Sequence, residues 1–374
     1  MVHNPDVIII GGGLAGLTSA SHLCKKGLNV VLIEKHIYPQ HKVCGEYISS
    51  EILPYLKELD IDVEALHPSS IKNLEFTAVD GKMIKAELPL GGIGLSRYAL
   101  DDLLYRKAKD SGCIFITATV SGISFEDDMF TVSFQHQVLK SKILLGAYGK
   151  RANIDQILGR SFIQKESAWM AIKGHYVGNF PDDLIGLHNF KGGYCGISKI
   201  ENNRINVCYL ADIESFKKYK NIDNYQKHVL YKNKHIKFFL ENSSLIFEKP
   251  LTISQISFCK KRAIENHMIM IGDTAGLIHP LCGNGMAMAI HSAKIASELI
   301  LDYFLGEISN RKLLERMYVK RWKKNFERRL LFGKVIARIL QFEFSTKLVF
   351  NVAKLFPALI TWIIKQTHGT AKVN

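Results

Sequence analysis

Seven cysteines stand in this 374-residue chain, at Cys24, Cys44, Cys113, Cys195, Cys208, Cys259 and Cys282, and no two of them form a CxxC pair. That spacing and the odd count argue against a zinc site and a disulfide framework, so no metal is expected and a reducing cytoplasm fits best. The N-terminal stretch MVHNPDVIII lacks the basic segment and cleavage site of a secretory leader. Long apolar runs are missing too. VIII near the start is only strand length, and the run 348–364 is interrupted by Asn351, Lys354 and Pro357. Internal repeats and low-complexity linkers are absent, and the hydrophobic and charged fractions, 47% and 22%, are those of a globular protein. Acidic residues are scarce in one place. From 311 to 374 there are fifteen Lys or Arg against three Glu, so a net +12 of the chain's +14 lies in the tail. Basicity confined to a tail, with no known nucleic-acid module beside it, argues against nucleic acid as a partner.

What is present begins with DVIIIGGGLAGLTSASHLCKKGLNVVLIEKH. Four apolar residues lead into Gly11-x-Gly13-x-x-Gly16, a helix is predicted over 14–26 with Gly27 closing it, and NVVLIE returns a second buried strand. In such a turn the first glycine allows the tight bend, the second lets backbone approach a pyrophosphate, and the third lets helix and strand pack closely. Glu34 ends the second strand eighteen residues after Gly16, placed to accept hydrogen bonds from ribose hydroxyls. An acid there disfavours a 2′-phosphate, leaving FAD or NAD. Further on, 51–66 reads as helical, 72–90 as strands around a VDGK turn, and 96–112 as a helix capped by Ser96. Strands follow at 113–119 and 129–134, and KILLGAYGK runs from a strand into a glycine turn. Between 166 and 258 alternating segments suggest an antiparallel sheet, with 211–241 helical and NNR a turn. HMIMIGDTAGLIHPLCGNGMAMAIHSAKIASELI is again strand, glycine turn and long helix.

The segment MIGDTAGLIHPLCGNGMAMAIHSA resembles the GD motif of FAD-dependent oxidoreductases with the p-hydroxybenzoate hydroxylase fold, and the chain looks most like their geranylgeranyl reductase branch. The resemblance covers about residues 5–305 and weakens in the sheet region. It implies an α/β protein: a Rossmann-like FAD/NAD(P)-binding domain, an inserted antiparallel β-sheet substrate domain forming the roof of the site, and C-terminal helices. The expected division is FAD domain 1–70, sheet strands 71–95, FAD domain 96–165, substrate sheet 166–260, FAD domain 261–310, and basic amphipathic helices 311–374. In the family the acid matching Asp273 holds ribityl or ribose hydroxyls. The helix after Gly283, Asn284 and Gly285 points its N-terminus at the flavin pyrimidine, where amides stabilise the negative charge of a reduced ring. Arg97 matches the family's arginine beside the flavin, and Val120 the position whose backbone meets the adenine. Leu14, Ala15, Lys35, Gly149, Gly272, Pro280 and Met286 complete the implied FAD-binding set. One departure stands out: the family's Gly-Ala-Asp-Gly is Gly-Ala-Tyr-Gly here, with Tyr148 in place of the acid. That puts the mode of nicotinamide use in doubt, and no second GxGxxG is present, so NAD(P)H would bind transiently or not at all, with another electron donor as the alternative.

The implied reaction is FAD-dependent oxidoreduction of a hydrophobic small molecule, isoprenoid, quinone or polyketide-like. A flavin monooxygenase hydroxylating an aromatic or polyketide substrate is the alternative. A non-catalytic, FAD-stabilised membrane protein is a further one. The halogenase signature Trp-x-Trp-x-Ile-Pro is not found, and neither is the aromatic motif ending in Phe-Pro that isoprenoid reductases often carry. The segment KVCGEYISSE matches a family Cys-Gly pair along the flavin, so Cys44 and Gly45 are expected at its substrate face. Glu46 is the second catalytic candidate: desolvation there would raise its pKa and make it an acid, while the plainer alternatives are a helix cap or a solvent-facing carboxylate. His175, His188 and His279 read as packed or surface residues. Trp169, Tyr194 and Cys195 read as core, the last two with some claim to a pocket. For the tail, an interfacial surface with Trp362 at a membrane boundary, at its inner face, is weighed evenly against packing on the FAD domain.

Overall fold

Near-continuous apolar strands are stable when both faces of their sheet are covered, and the opening segments fold in that way. In a computed structural model, which describes residues 4–341, 346, 349–352 and 358–369, Val7–Ile10 is central in a six-stranded sheet. It pairs in parallel with Val30–Glu34 on one side and Ile143–Gly146 on the other. Ile114–Thr117 and Met268–Met270 extend the parallel order, and Ile264–Glu265 closes one edge antiparallel. Helix Leu14–Lys25 packs against helices Arg97–Asp110 and Gly285–Phe304, burying one core with the sheet. The expected α/β fold with inserted sheet and C-terminal helices is the one observed.

The second sheet runs in the order Tyr47–Ser49, Met83–Gly94, Ser69–Thr77, Leu184–Phe190, Gly193–Lys199, Ile205–Asp212, Trp169–Val177 and Ser244–Leu245, with Leu251–Ile253 also on Trp169–Val177. Its pairs are antiparallel except Leu184–Phe190 beside Ser69–Thr77, which is parallel and joins the two stretches of chain that supply the sheet. Leu184–Phe190 is a strand the periodicity did not disclose. So are Val120–Glu126 and Gln137–Ser141, which flank Met129–Phe134 in a small separate sheet. The turns between these three are Asp127-Asp128 and Gln135-His136, all four with positive φ, and neither carries the glycine that usually signals a two-residue hairpin. The expected helix over 51–66 is also interrupted: Leu53–Glu58 ends where Asp60 turns left-handed at φ 54°, and only a short 3₁₀ turn, Glu64–Leu66, follows.

The tail forms a long helix, Arg311–Gln341, and a terminal one, Ala358–Thr367. The two touch each other, and the terminal helix lies on strand Met83–Gly94 with Ile360 and Ile364 buried there. The reading that the tail packs on the FAD domain holds for the long helix, which lies against Gly285–Phe304, whereas the terminal helix packs on the second sheet instead. Lys354 and Pro357, on which the argument against a span leaned, lie outside the described residues. Among the described residues no helix is long and apolar enough to cross a membrane.

Candidate active site

The glycine turn shows which of its glycines the protein itself requires. Gly11 has φ 103°, and a Cβ there would sit 2.5 Å from the Ala147 carbonyl oxygen. A Cβ on Gly16 would come within 2.0 Å of the Gly11 oxygen. Gly13 differs: its Cβ would meet nothing nearer than Arg97 Nη2 at 3.8 Å. No protein atom needs that space, so it is open to a ligand at the N-terminus of helix Leu14–Lys25. Glu34 accepts from the Gly12 amide at 2.7 Å, which seats its carboxylate at the turn. Tyr38, stacked on Tyr105, donates to the Gly12 oxygen.

The second turn faces the first. Gly272 (φ 61°) donates its amide to Ser292 Oγ, and Lys261 Nζ donates to the Asp273 carbonyl. Burial pulls that lysine down to about 8. Gly283 (φ 63°) turns the chain into the twenty-residue helix Gly285–Phe304, whose first amides have no partner within the helix. Asn284 is fully buried. It donates Nδ2 to Glu51 and leaves Oδ1 unpartnered. Arg97 opens its helix with a bidentate pair to Asp101 at 2.7 and 2.9 Å, and Lys42 joins the same carboxylate. Burial alone would lower the Arg97 pKa, but Asp101 outweighs it and the guanidinium is held charged.

Between the turns and the second sheet lies a cavity of about 410 Å3. Its lining includes Gly13, Leu14, Ala15, Arg97 and Gly149 on the nucleotide side, with Gly272, Asp273, Pro280, Gly283, Gly285 and Met286 opposite. Cys44, Gly45 and Glu46 form part of its wall. Thirteen expected cofactor residues and both catalytic candidates thus meet at one place. Lys35 is exposed beyond the strand end, Val120 is buried at the start of the small sheet, and neither lines the cavity.

Glu46 requires a correction. It has left-handed backbone, φ 54°, and its side chain is wholly buried. Oε1 accepts from Lys173 Nζ at 2.5 Å and from the Arg97 amide at 2.7 Å, and Oε2 lies 2.7 Å from His175 Nε2. Burial raises its pKa, but the Lys173 ammonium and the His175 hydrogen bond outweigh that, and the net direction is down. The expected raised pKa is therefore wrong, and so is solvent exposure. Glu46 does cap a helix, but the distant one at Arg97. The Cys44–Gly45 backbone is also tied down, since Asn206 Nδ2 donates to both carbonyls.

Sequence reasoning missed Lys173 and read His175 as ordinary packing. It also missed the far end of the cavity, where Ile336, Ile339, Leu340, Leu359, Ile360 and Ile363 of the two tail helices form an aliphatic wall. The amphipathic pattern of the tail was the available signal, but pattern does not say which surface an apolar face covers. Tyr194 lines the cavity, and burial pushes its phenol well up. Cys195 belongs to the core on the other face of the sheet. Tyr148, in place of the family's acid, bonds Asp155 and accepts from Arg160.

A family model described as FAD binding domain matches residues 4–317. The chain belongs to the FAD binding domain family. Its residues fit the cofactor: Gly13 leaves room at a helix N-terminus, Gly45 and Gly149 have nothing within 4 Å of a notional Cβ, and Asn284 keeps an unpartnered buried oxygen. Among curated proteins, a digeranylgeranylglycerophospholipid reductase of Methanosarcina acetivorans is 26% identical over 85% of this chain and 80% of its own. An uncharacterized Methanosarcina barkeri protein is 25% identical over 91% and 86%. Among solved structures, the flavin-dependent brominase Bmp2 superposes with a TM-score of 0.80 at 18% identity, covering 97% of this chain and 93% of that one. A geranylgeranyl bacteriochlorophyll reductase-like protein of Thermoplasma acidophilum gives 0.73 at 21% identity, with 91% and 88% covered. The protein is an FAD-binding, oxidoreductase-type enzyme, and its fold is shared with a reductase-like protein and a halogenase alike. The narrower assignment to the geranylgeranyl reductase branch gives way to this broader one.

Proposed function

We propose that this enzyme is a flavin monooxygenase that hydroxylates the aromatic or otherwise unsaturated head of a hydrophobic molecule. The head would lie at the Cys44–Glu46 loop and the apolar body among the tail helices. FAD, when bound, supplies the two-electron redox chemistry. The observation that carries the choice is the state of Glu46. Reducing a carbon–carbon double bond requires a proton donor beside the reacting carbon, and a carboxyl held ionised by Lys173 and His175 is a poor one. The same lowered pKa and the occupied oxygens make Glu46 an equally weak proton acceptor, so its part in this reading is to hold Lys173, His175 and the Arg97 amide at the cavity wall. The apolar wall keeps bulk water from the reacting head.

The second reading, reduction of an isoprenoid-like double bond, draws support from the aliphatic far end of the cavity and from the activity named for the Methanosarcina acetivorans relative. In that reading Cys44 or the Tyr194 phenol, which burial keeps protonated, supplies the proton. NAD(P)H is the proposed transient reductant in both. The deciding experiment reduces the FAD-loaded protein with NADH or NADPH and supplies phenolic or isoprenoid substrates under isotopically labelled oxygen gas. Label in the product is expected. Oxygen-insensitive product formation would replace hydroxylation by reduction, and a flavin that neither nicotinamide reduces, with or without substrate, would count against both.

A further inference from the structure

The tail helices line the cavity on one side and carry an unusual surface on the other. Along Arg311–Gln341 the exposed residues Lys324, Arg328, Leu331, Val335 and Arg338 recur at steps of four, three, four and three, a single stripe on the helix. Leu331 is 64% exposed and Val335 47%. The neighbouring terminal helix adds Trp362, 50% exposed and edge-on to Phe332 at 5.7 Å, and Lys365. Glu327, an acid beside the stripe, already pairs with Lys260 at 3.8 Å.

We propose that this face docks the protein peripherally on an anionic lipid bilayer, and that apolar substrate passes from the bilayer into the cavity across the tail helices. The docking stands on the surface itself; the passage rests on the hydrophobic-substrate reading above. Basic side chains flanking exposed Leu, Val and Trp match an anionic interface, where lysine and arginine meet headgroups and the apolar groups sink to the acyl boundary. A nucleic-acid backbone would use the charge and leave Leu331, Val335 and Trp362 in water. The tail's net +12 is concentrated on the same segment. Outward and cavity-lining residues are also sequence neighbours: Val335 precedes Ile336, and Trp362 precedes Ile363. Neighbours on a helix are about 100° apart round its axis, so the same two helices bear both the outward surface and part of the cavity wall.

The test sediments the FAD-loaded full chain with vesicles of equal parts phosphatidylglycerol and phosphatidylcholine, or of phosphatidylcholine alone, at low and high salt. Binding is expected on the anionic vesicles, weakened by salt, with a blue shift in tryptophan emission. Arg328→Glu with Arg338→Glu should lower partitioning by roughly tenfold or more. Trp362→Ala should weaken binding and remove most of the shift, with FAD content unchanged in both variants. Absence of binding, equal binding by the variants, or retention by duplex DNA but not by vesicles would overturn the proposal. A failure of docking leaves the oxidoreductase and its chemistry standing.

Discussion

Lys173 and Glu46 are both withdrawn from water, and each is tolerable there because of the other. Lys173→Met should leave a buried carboxylate with only His175 and one amide, and cost about 3–5 kcal/mol in chemical denaturation. Replacing Glu46 by Gln in the same protein should recover part of that loss, since the uncompensated charge goes with it. The pH dependence follows from the direction of the Glu46 shift. The unfolded carboxyl takes up its proton at a higher pH than the folded one. The pair's stabilisation is therefore present above the ordinary glutamate range and is lost as pH falls toward and through the lowered folded value. Cys44 has a separate role at the cavity wall. Cys44→Ala and Cys44→Ser should keep bound FAD, seen in its absorbance, and slow turnover; full activity in both would reduce Cys44 to packing. Cys44 and Gly45 were legible from their place after the second strand. The charge state of Glu46 was not, because its charged partners lie more than 120 residues away, on strand Trp169–Val177.

The glycine turns and their helices separate fold from ligand binding. Gly16→Ala drives a methyl into the Gly11 carbonyl and should destabilise the protein by about 1–3 kcal/mol whether or not FAD is present. Gly13→Ala meets no protein atom closer than 3.8 Å. Its apo form should stay within about 1 kcal/mol of the wild type, while FAD affinity, measured by calorimetry, falls by roughly tenfold or more. Equal effects of the two substitutions on unliganded stability would sink this distinction. Local chemistry predicted several elements well. Ser96 does cap helix Arg97–Asp110, accepting from the Ala99 amide, and Gly27 follows the end of Leu14–Lys25 at φ 88°. Local chemistry failed where a turn used unusual residues. The Asp127-Asp128 and Gln135-His136 hairpins hid two strands, because aspartate, glutamine and histidine reach left-handed φ here only with the ladder on either side to hold them.

At the scale of the molecule, the cavity depends on three distant parts of the chain: the nucleotide turns, the second sheet and the tail. Ile360→Asp places a charge in that wall and should abolish binding of an apolar fluorescent probe. Retained FAD absorbance would show that the nucleotide side survives. Acid sensitivity is another whole-molecule property. Burial lowers His188 and His291 to about 3 and His279 and His22 to about 4. These rings stay neutral in the fold while the unfolded chain protonates them near the ordinary value of 6.5. Stability, followed as a urea midpoint, should therefore fall as pH drops below about 6.5 and continue falling to about 3–4. A midpoint flat from pH 7 to 5 would contradict the buried neutral state. By itself, the sequence determined the parallel core, the two glycine turns, a dinucleotide-type site and the basic tail, since each follows from residues close together in the chain, while the choice of FAD came from the family resemblance. Only the tertiary structure decided that Glu46 is an ion-pair partner rather than an acid, and that the tail closes the cavity. Those outcomes depend on which distant residues share a space from which water is excluded, and local spacing carries no record of that.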